Sequence, residues 1–178
     1  YSYLLSAMQR VIASHPAHLL LIGAGPLEQT LRTQAKSLGI EDNIHFLGWR
    51  PDVLALLPHA DMFVSASLWE GLPTVLLEAM ACQLPVIATC VSGSREIVSD
   101  RTTGLLVAPK DEAALATAIN WAIEHPDQMK QFAQIAFASL HRYTFDNTIA
   151  QFSALFSRLM HQSGTTSDIA TEPATSPK

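Results

Sequence analysis

Several common functional groups are scarce in this chain. Of its 178 residues, 11 are Lys or Arg and 16 are Asp or Glu, for a net charge of −5. So few basic side chains argue against a general nucleic-acid surface. There are two cysteines, Cys82 and Cys90, and they form no CxxC pair. Reduced, cytosolic thiols are expected rather than a disulfide framework. The seven histidines are scattered, with no HExxH, and no DxD triplet occurs. No metal–carboxylate site is therefore expected. No apolar stretch approaches the ~18 residues a membrane-spanning helix needs. The opening Tyr1-Ser2-Tyr3-Leu4-Leu5 has no basic region, apolar region and small-residue cleavage site in series. No signal peptide is expected there.

What is present is apolar and periodic. Hydrophobic residues make up 48% of the chain, enough for one globular domain with a sizeable core. Short apolar runs read as strands at His18–Ile22, Asn43–Leu47, Met62–Ala66, Val86–Cys90 and Gly104–Ala108. Helical patterns cover Tyr3–Ser14, Pro26–Leu38, Asp52–Leu57, Thr74–Gln83, Arg95–Ser99, Asp111–Glu124, Asp127–His141 and Asp146–Met160. Continuous apolar strands alternating with helices predict a parallel sheet buried on both faces. The fold class is α/β, a doubly wound Rossmann-like sheet, over residues 1–162. From Ser163 to Lys178 the composition turns to Ser, Thr, Pro, Ala and Asp, which predicts a disordered tail.

Two acids stand out, Glu70 and Glu78, with seven residues between them. On one continuous helix they would lie about 80° apart around the axis and ~12 Å apart along it. Gly71-Leu72-Pro73 rules that helix out, because Pro fits the first turn and not the interior. The helix is expected to start near Pro73 or Thr74. Glu70 then lies on the preceding loop and Glu78 in the second turn. Both acids can face a helix N-terminus whose free N–H groups run from Thr74 to Leu76. Such a space suits an anionic centre with hydroxyls on either side. A carboxylate at Glu78, between Leu77 and Ala79, also needs partners.

Other rim segments follow predicted strands. Gly23-Ala24-Gly25-Pro26 opens a helix as phosphate loops do, but lacks the third Gly of GxGxxG. A dinucleotide fingerprint is poorly supported, and a tight strand–helix turn explains the glycines alone. Gly48-Trp49-Arg50-Pro51-Asp52 reads either as a turn with an exposed Arg or as a wall for a flat base. Ser92-Gly93-Ser94 reads either as a capped turn or as a place where a ligand approaches the backbone.

The ordered set Phe63–Cys82, Pro85–Thr89, Gly93 with Glu96, and Gly104–Val107 closely resembles the C-terminal domain of family-4 (group 1) retaining glycosyltransferases. These have the GT-B architecture, two Rossmann-like domains facing a cleft. The resemblance spans roughly residues 1 to 160. It implies transfer of a hexosyl group from a nucleotide-sugar to a hydroxyl acceptor, glycan or lipid-linked, in glycan or polysaccharide synthesis. It implies that Glu78 grips the ribose hydroxyls and that Glu70 is the carboxylate near the donor sugar, the catalytic residue. Gly71, Leu72, Pro73, Thr74 and Val75 would meet the sugar and diphosphate. Trp49 and Arg50 fall where the base pocket forms, and Gly23 and Gly25 in the second strand–helix turn. No cofactor or metal is implied beyond the donor itself. A cytoplasmic setting, peripheral at the inner membrane face, would suit such an enzyme.

The same resemblance implies gaps. The family's domain opens with a strand carrying an Arg/Lys pair that clamps the diphosphate, and Tyr1 already falls in the helix after it. The partner N-terminal domain is likewise outside residues 1–178. In the family's strand order the lost strand is central, between His18–Ile22 and Met62–Ala66. Unpaired strand edges are expected there, leaving the chain alone unstable or inactive. Two other readings stay open: a non-catalytic nucleotide-sugar binding remnant, and a nucleotide-sugar epimerase of the same fold.

Overall fold

A computed structural model describes residues 1–163. The expected tail lies outside the described residues from residue 164 onward. The chain divides into two compact units, Tyr1–Leu140 and His141 onward.

The first unit carries five parallel strands in two sheets. Strands β1 (Leu19–Ile22) and β2 (Ile44–Gly48) pair with each other. Strands β3 (Phe63–Ser65), β4 (Val86–Thr89) and β5 (Leu105–Val107) form the other sheet in that order. β4 is buried along its whole length, as its uninterrupted Val-Ile-Ala-Thr run requires between two flanking strands. Among the described residues, β1 and β3 each keep one edge without a strand partner. No strand pairing joins the two sheets among the described residues.

The flanking helices of this unit are α1 (Ser2–Ile12), α2 (Glu28–Ser37), α3 (Val53–Leu56), α4 (Thr74–Ala81), α5 (Ser92–Ile97), α6 (Glu112–Glu124) and α7 (Pro126–Ser139). In α1, Leu4, Leu5, Met8 and Val11 recur at helical spacing and are buried. That face packs against α6. One apolar cluster joins both sheets, from Leu21 and Ile44 to Ile87, Leu105 and Leu115. The α6 start is capped by Asp111, with the Ala114 amide donating to its carboxylate at 2.8 Å.

Two local departures from the sequence pattern matter for the site. The short helix expected at Arg95–Ser99 begins earlier, at Ser92, and ends at Ile97. Ser, Gly and Ser are poor helix formers, and here contacts to a neighbouring loop hold them instead of propensity. The second departure is at the end of α4, where the chain turns through Gln83 at φ 53°. Glycine is the usual occupant of that left-handed conformation.

The second unit is dominated by α8 (Phe145–Ser163). Its stripe of Phe145, Ile149, Phe152, Phe156 and Met160 is exposed.

Candidate donor site

The candidate site is assembled at the carboxyl ends of the parallel strands, where doubly wound sheets hold their ligands. α4 starts at Thr74, with Pro73 at its cap and no side chain closing its N-terminus. The Thr74 and Val75 amides therefore have no partner inside the helix, whereas the Leu76 amide, expected to be free, donates to the Pro73 carbonyl at 3.0 Å. Leu76, Ala79 and Met80 bury the opposite face, with Leu76 and Met80 at 0% exposure. That burial sets the helix's rotation. It leaves Glu78 half-buried one turn in, with no hydrogen-bond or ion-pair partner among the described residues. The partner that its sequence position demands is absent. Half-burial rather than full burial is what makes this tolerable, since water still reaches the carboxylate.

Glu70 is held more firmly. The Ser67 hydroxyl donates to Glu70 Oε1 at 2.7 Å, and the Gly93 amide donates to the Glu70 carbonyl at 3.1 Å. Gly93 also meets the loop by sheer proximity. A Cβ there would lie 2.8 Å from the Gly71 carbonyl carbon and 2.9 Å from Pro73 Cδ. The close approach expected at Gly93 is real, and its occupant is the Glu70–Pro73 loop. Gly71, Leu72, Thr74 and Val75 are exposed along this loop and helix start, while Pro73 is buried.

Behind the loop, the Thr89 hydroxyl at the end of β4 donates to the Ser67 carbonyl at 2.5 Å. Ser67 and Thr89 thus support Glu70. In the sequence Ser67 stands out only as part of the Phe63–Cys82 run, and Thr89 only as the end of Pro85–Thr89. The signal in the sequence was Ser67 standing three residues before Glu70 on the same loop.

A second group forms at the ends of β1 and β2. Gly23, at φ 132°, donates its amide to the Gly48 carbonyl at 2.7 Å and ties the two rim loops together. A cavity of about 240 Å³ lies beside them, lined by Leu21, Gly23, Gly25, Leu31 and Phe46 among others. Trp49 is 73% exposed. Arg50 is exposed but engaged: its guanidinium meets Asp52 at 2.8 and 2.6 Å, two bonds side by side. That pairing raises the Arg50 pKa and lowers that of Asp52, the shared hydrogen bonds being the largest cause for each. A base wall made from Arg50 therefore includes Asp52.

A parallel α/β unit with Glu70 on the loop after one strand and Glu78 in the helix that follows fits the GT-B class of sugar-transferring enzymes. The profile of the Glycosyl transferases group 1 matches residues 1–138, and the chain belongs to that family. It is 32% identical over 142 residues to EpsD of Bacillus subtilis, named as a candidate glycosyltransferase, matching 80% of this chain and 37% of EpsD. HepE of Anabaena, solved with UDP, superposes with a TM-score of 0.79 at 29% identity, over 88% of this chain and 44% of HepE. HepE has also been solved with UDP-glucose. WaaG, a glycosyltransferase involved in lipopolysaccharide biosynthesis, superposes with a TM-score of 0.69 at 26% identity, over 75% of this chain and 37% of WaaG. The chain thus spans about two fifths of the length of these relatives.

Proposed function

We propose that this chain is the donor-binding half of a retaining glycosyltransferase. The complete enzyme would move a hexosyl unit from a nucleotide-sugar to a hydroxyl of a glycan or lipid-linked acceptor. The carrying observation is the arrangement around α4: a helix N-terminus with no side-chain cap, Glu70 held by Ser67 on the loop before it, and Glu78, without a partner among the described residues, in its second turn. In this reading the amides of Thr74 and Val75 meet the diphosphate, and Glu78 accepts from the ribose hydroxyls. Glu70 accepts from the donor sugar. The UDP and UDP-glucose complexes of HepE support a nucleotide-sugar ligand. WaaG's role in lipopolysaccharide biosynthesis supports a glycan product.

The chemistry asks for charge stabilisation more than for proton handling within this chain. The bond from the anomeric carbon to the phosphate oxygen breaks, and its electron pair leaves with the diphosphate. The acceptor oxygen bonds to that carbon on the same face, and its proton passes to the departing phosphate. Helix-start amides stabilise part of the developing charge. No metal is required in this scheme.

The test is calorimetric binding of UDP-, GDP- and ADP-sugars to the full-length protein that carries residues 1–178, each against its free nucleoside diphosphate. Glu78→Ala is expected to weaken sugar-linked and free nucleotide alike. Glu70→Ala is expected to weaken only the sugar-linked form. Unchanged nucleotide affinity in Glu78→Ala would remove its ribose role. EDTA is expected to leave all affinities unchanged.

A further inference from the structure

Glu70 carries the donor-sugar contact in the reading above, and its position is controlled by two hydroxyls in series, Thr89 at the end of β4 and Ser67 on the loop after β3. Ser65 closes β3 and Thr89 closes β4, on paired strands whose register sets Ser65 opposite Ala88. Thr89 is 3% exposed. Its hydroxyl donates to the Ser67 carbonyl at 2.5 Å, with the Ser65 carbonyl a second acceptor at 3.4 Å. Ser67 then donates its own proton to Glu70 Oε1 at 2.7 Å. The Gly93 amide fixes the backbone of the same glutamate. Glu70 is thereby held at its carbonyl and at one carboxylate oxygen, while Oε2 has no partner among the described residues.

We propose that Ser67 is a positioning residue that presents Glu70 Oε2 to the donor sugar, with Thr89 anchoring Ser67. The proposal rests on the donor-site reading and adds to it a specific job for two residues outside the Glu70–Glu78 segment. A glutamate has three rotatable bonds to immobilise when it meets a ligand. A partner already fixing one oxygen lowers that cost before binding, and a hydrogen bond to a charged group is among the stronger kind. Losing such a bond corresponds to roughly a ten- to hundred-fold change in an equilibrium. The loss should fall on the sugar and not on the nucleotide, because among the described residues the hydrogen bonds of Ser67 go to Glu70, Ser65 and Thr89.

The experiment uses the full-length protein with UDP-glucose, GDP-mannose and ADP-glucose, taking whichever the wild type binds, against its free nucleoside diphosphate. Ser67→Ala is expected to weaken the nucleotide-sugar ten- to hundred-fold and to leave the diphosphate affinity unchanged. Ser67→Thr keeps the hydroxyl and is expected to restore binding. Thr89→Val should show a smaller loss of the same kind, and Thr89→Ser none. In a Glu70→Ala background, Ser67→Ala should add no further loss. Equal loss for nucleotide-sugar and diphosphate would overturn the proposal, as would full additivity with Glu70→Ala or failure of threonine to rescue. In those cases Glu70→Ala alone still separates sugar from diphosphate, and the donor reading stands. If Glu70→Ala does not separate them, the donor reading itself is overturned.

Discussion

Replacing Gly93 with Ala tests the architecture of the candidate site most directly, because two effects of opposite sign compete. In an ordinary helix interior, Gly→Ala stabilises by about 0.5–1 kcal/mol, since alanine loses less backbone freedom on folding. Gly93 has no left-handed conformation to forbid a side chain. Against this stands the loop. An alanine Cβ would lie 2.8 Å from the Gly71 carbonyl carbon and 2.9 Å from Pro73 Cδ. Carbon atoms pack at about 3.5–4.0 Å, so the loop must retreat by ~1 Å. The nearest neighbour is backbone, which cannot swing aside as a flexible side chain can. That retreat also strains the Gly93 amide bond to the Glu70 carbonyl, a bond contributing about 1 kcal/mol. A displacement of ~1 Å in a positioning element can cost on the order of 100-fold in rate. Gly93→Ala is therefore expected to cut sugar transfer by about two orders of magnitude. Its unfolding midpoint should fall or hold rather than rise. Thermal unfolding followed by circular dichroism and a radiolabelled sugar-transfer assay, both on the full-length protein, read the two effects separately. A variant that is more stable than wild type and transfers sugar normally would refute the reasoning: the loop would then be free to move without consequence.

Two further outcomes follow from residues elsewhere in the unit. Gln83 sits at φ 53°, where an L side chain carries a penalty of roughly 1–2 kcal/mol. Gly in its place removes that penalty but adds freedom to the unfolded chain, so Gln83→Gly should stabilise by at most ~1 kcal/mol in denaturant melts; a destabilised variant contradicts the assigned conformation. Asp52 should titrate below the ordinary aspartate range because Arg50 holds its charged form. The sign follows from linkage: the pair is intact above the ordinary value and is lost as pH falls through the depressed one. A carbon-detected NMR titration of the Asp52 carboxyl reads this, and an ordinary midpoint shows that the ion pair does not persist in solution.

Most of the framework is legible in the sequence because its strands are short apolar runs and its helices repeat at helical spacing. β4 and α4 fall almost where Val86–Cys90 and Thr74–Gln83 place them. The start of α4 was readable because proline tolerates only the first turn. What the sequence hides is contact between segments distant along the chain. Ser92-Gly93-Ser94 has no intrinsic reason to be helical, and the loop it meets, through the Gly93 amide and the Glu70 carbonyl, lies far back along the chain. Thr89 supports Ser67 from 22 residues away, across two strands whose pairing no local pattern reveals. Arg50 shows the reverse case. Its partner is only two residues on, yet an exposed Arg and a paired one look alike until the geometry of the turn is known.

The bond from the Gly23 amide to the Gly48 carbonyl acts as a latch between the turns that follow β1 and β2. Both glycines stand at positive φ, 132° and 64°, a conformation that L side chains rarely adopt. A side chain at either position strains the turn that carries its half of the latch. The two turns therefore respond as a pair, and Trp49 and Arg50, next along the chain, are placed by the same latch.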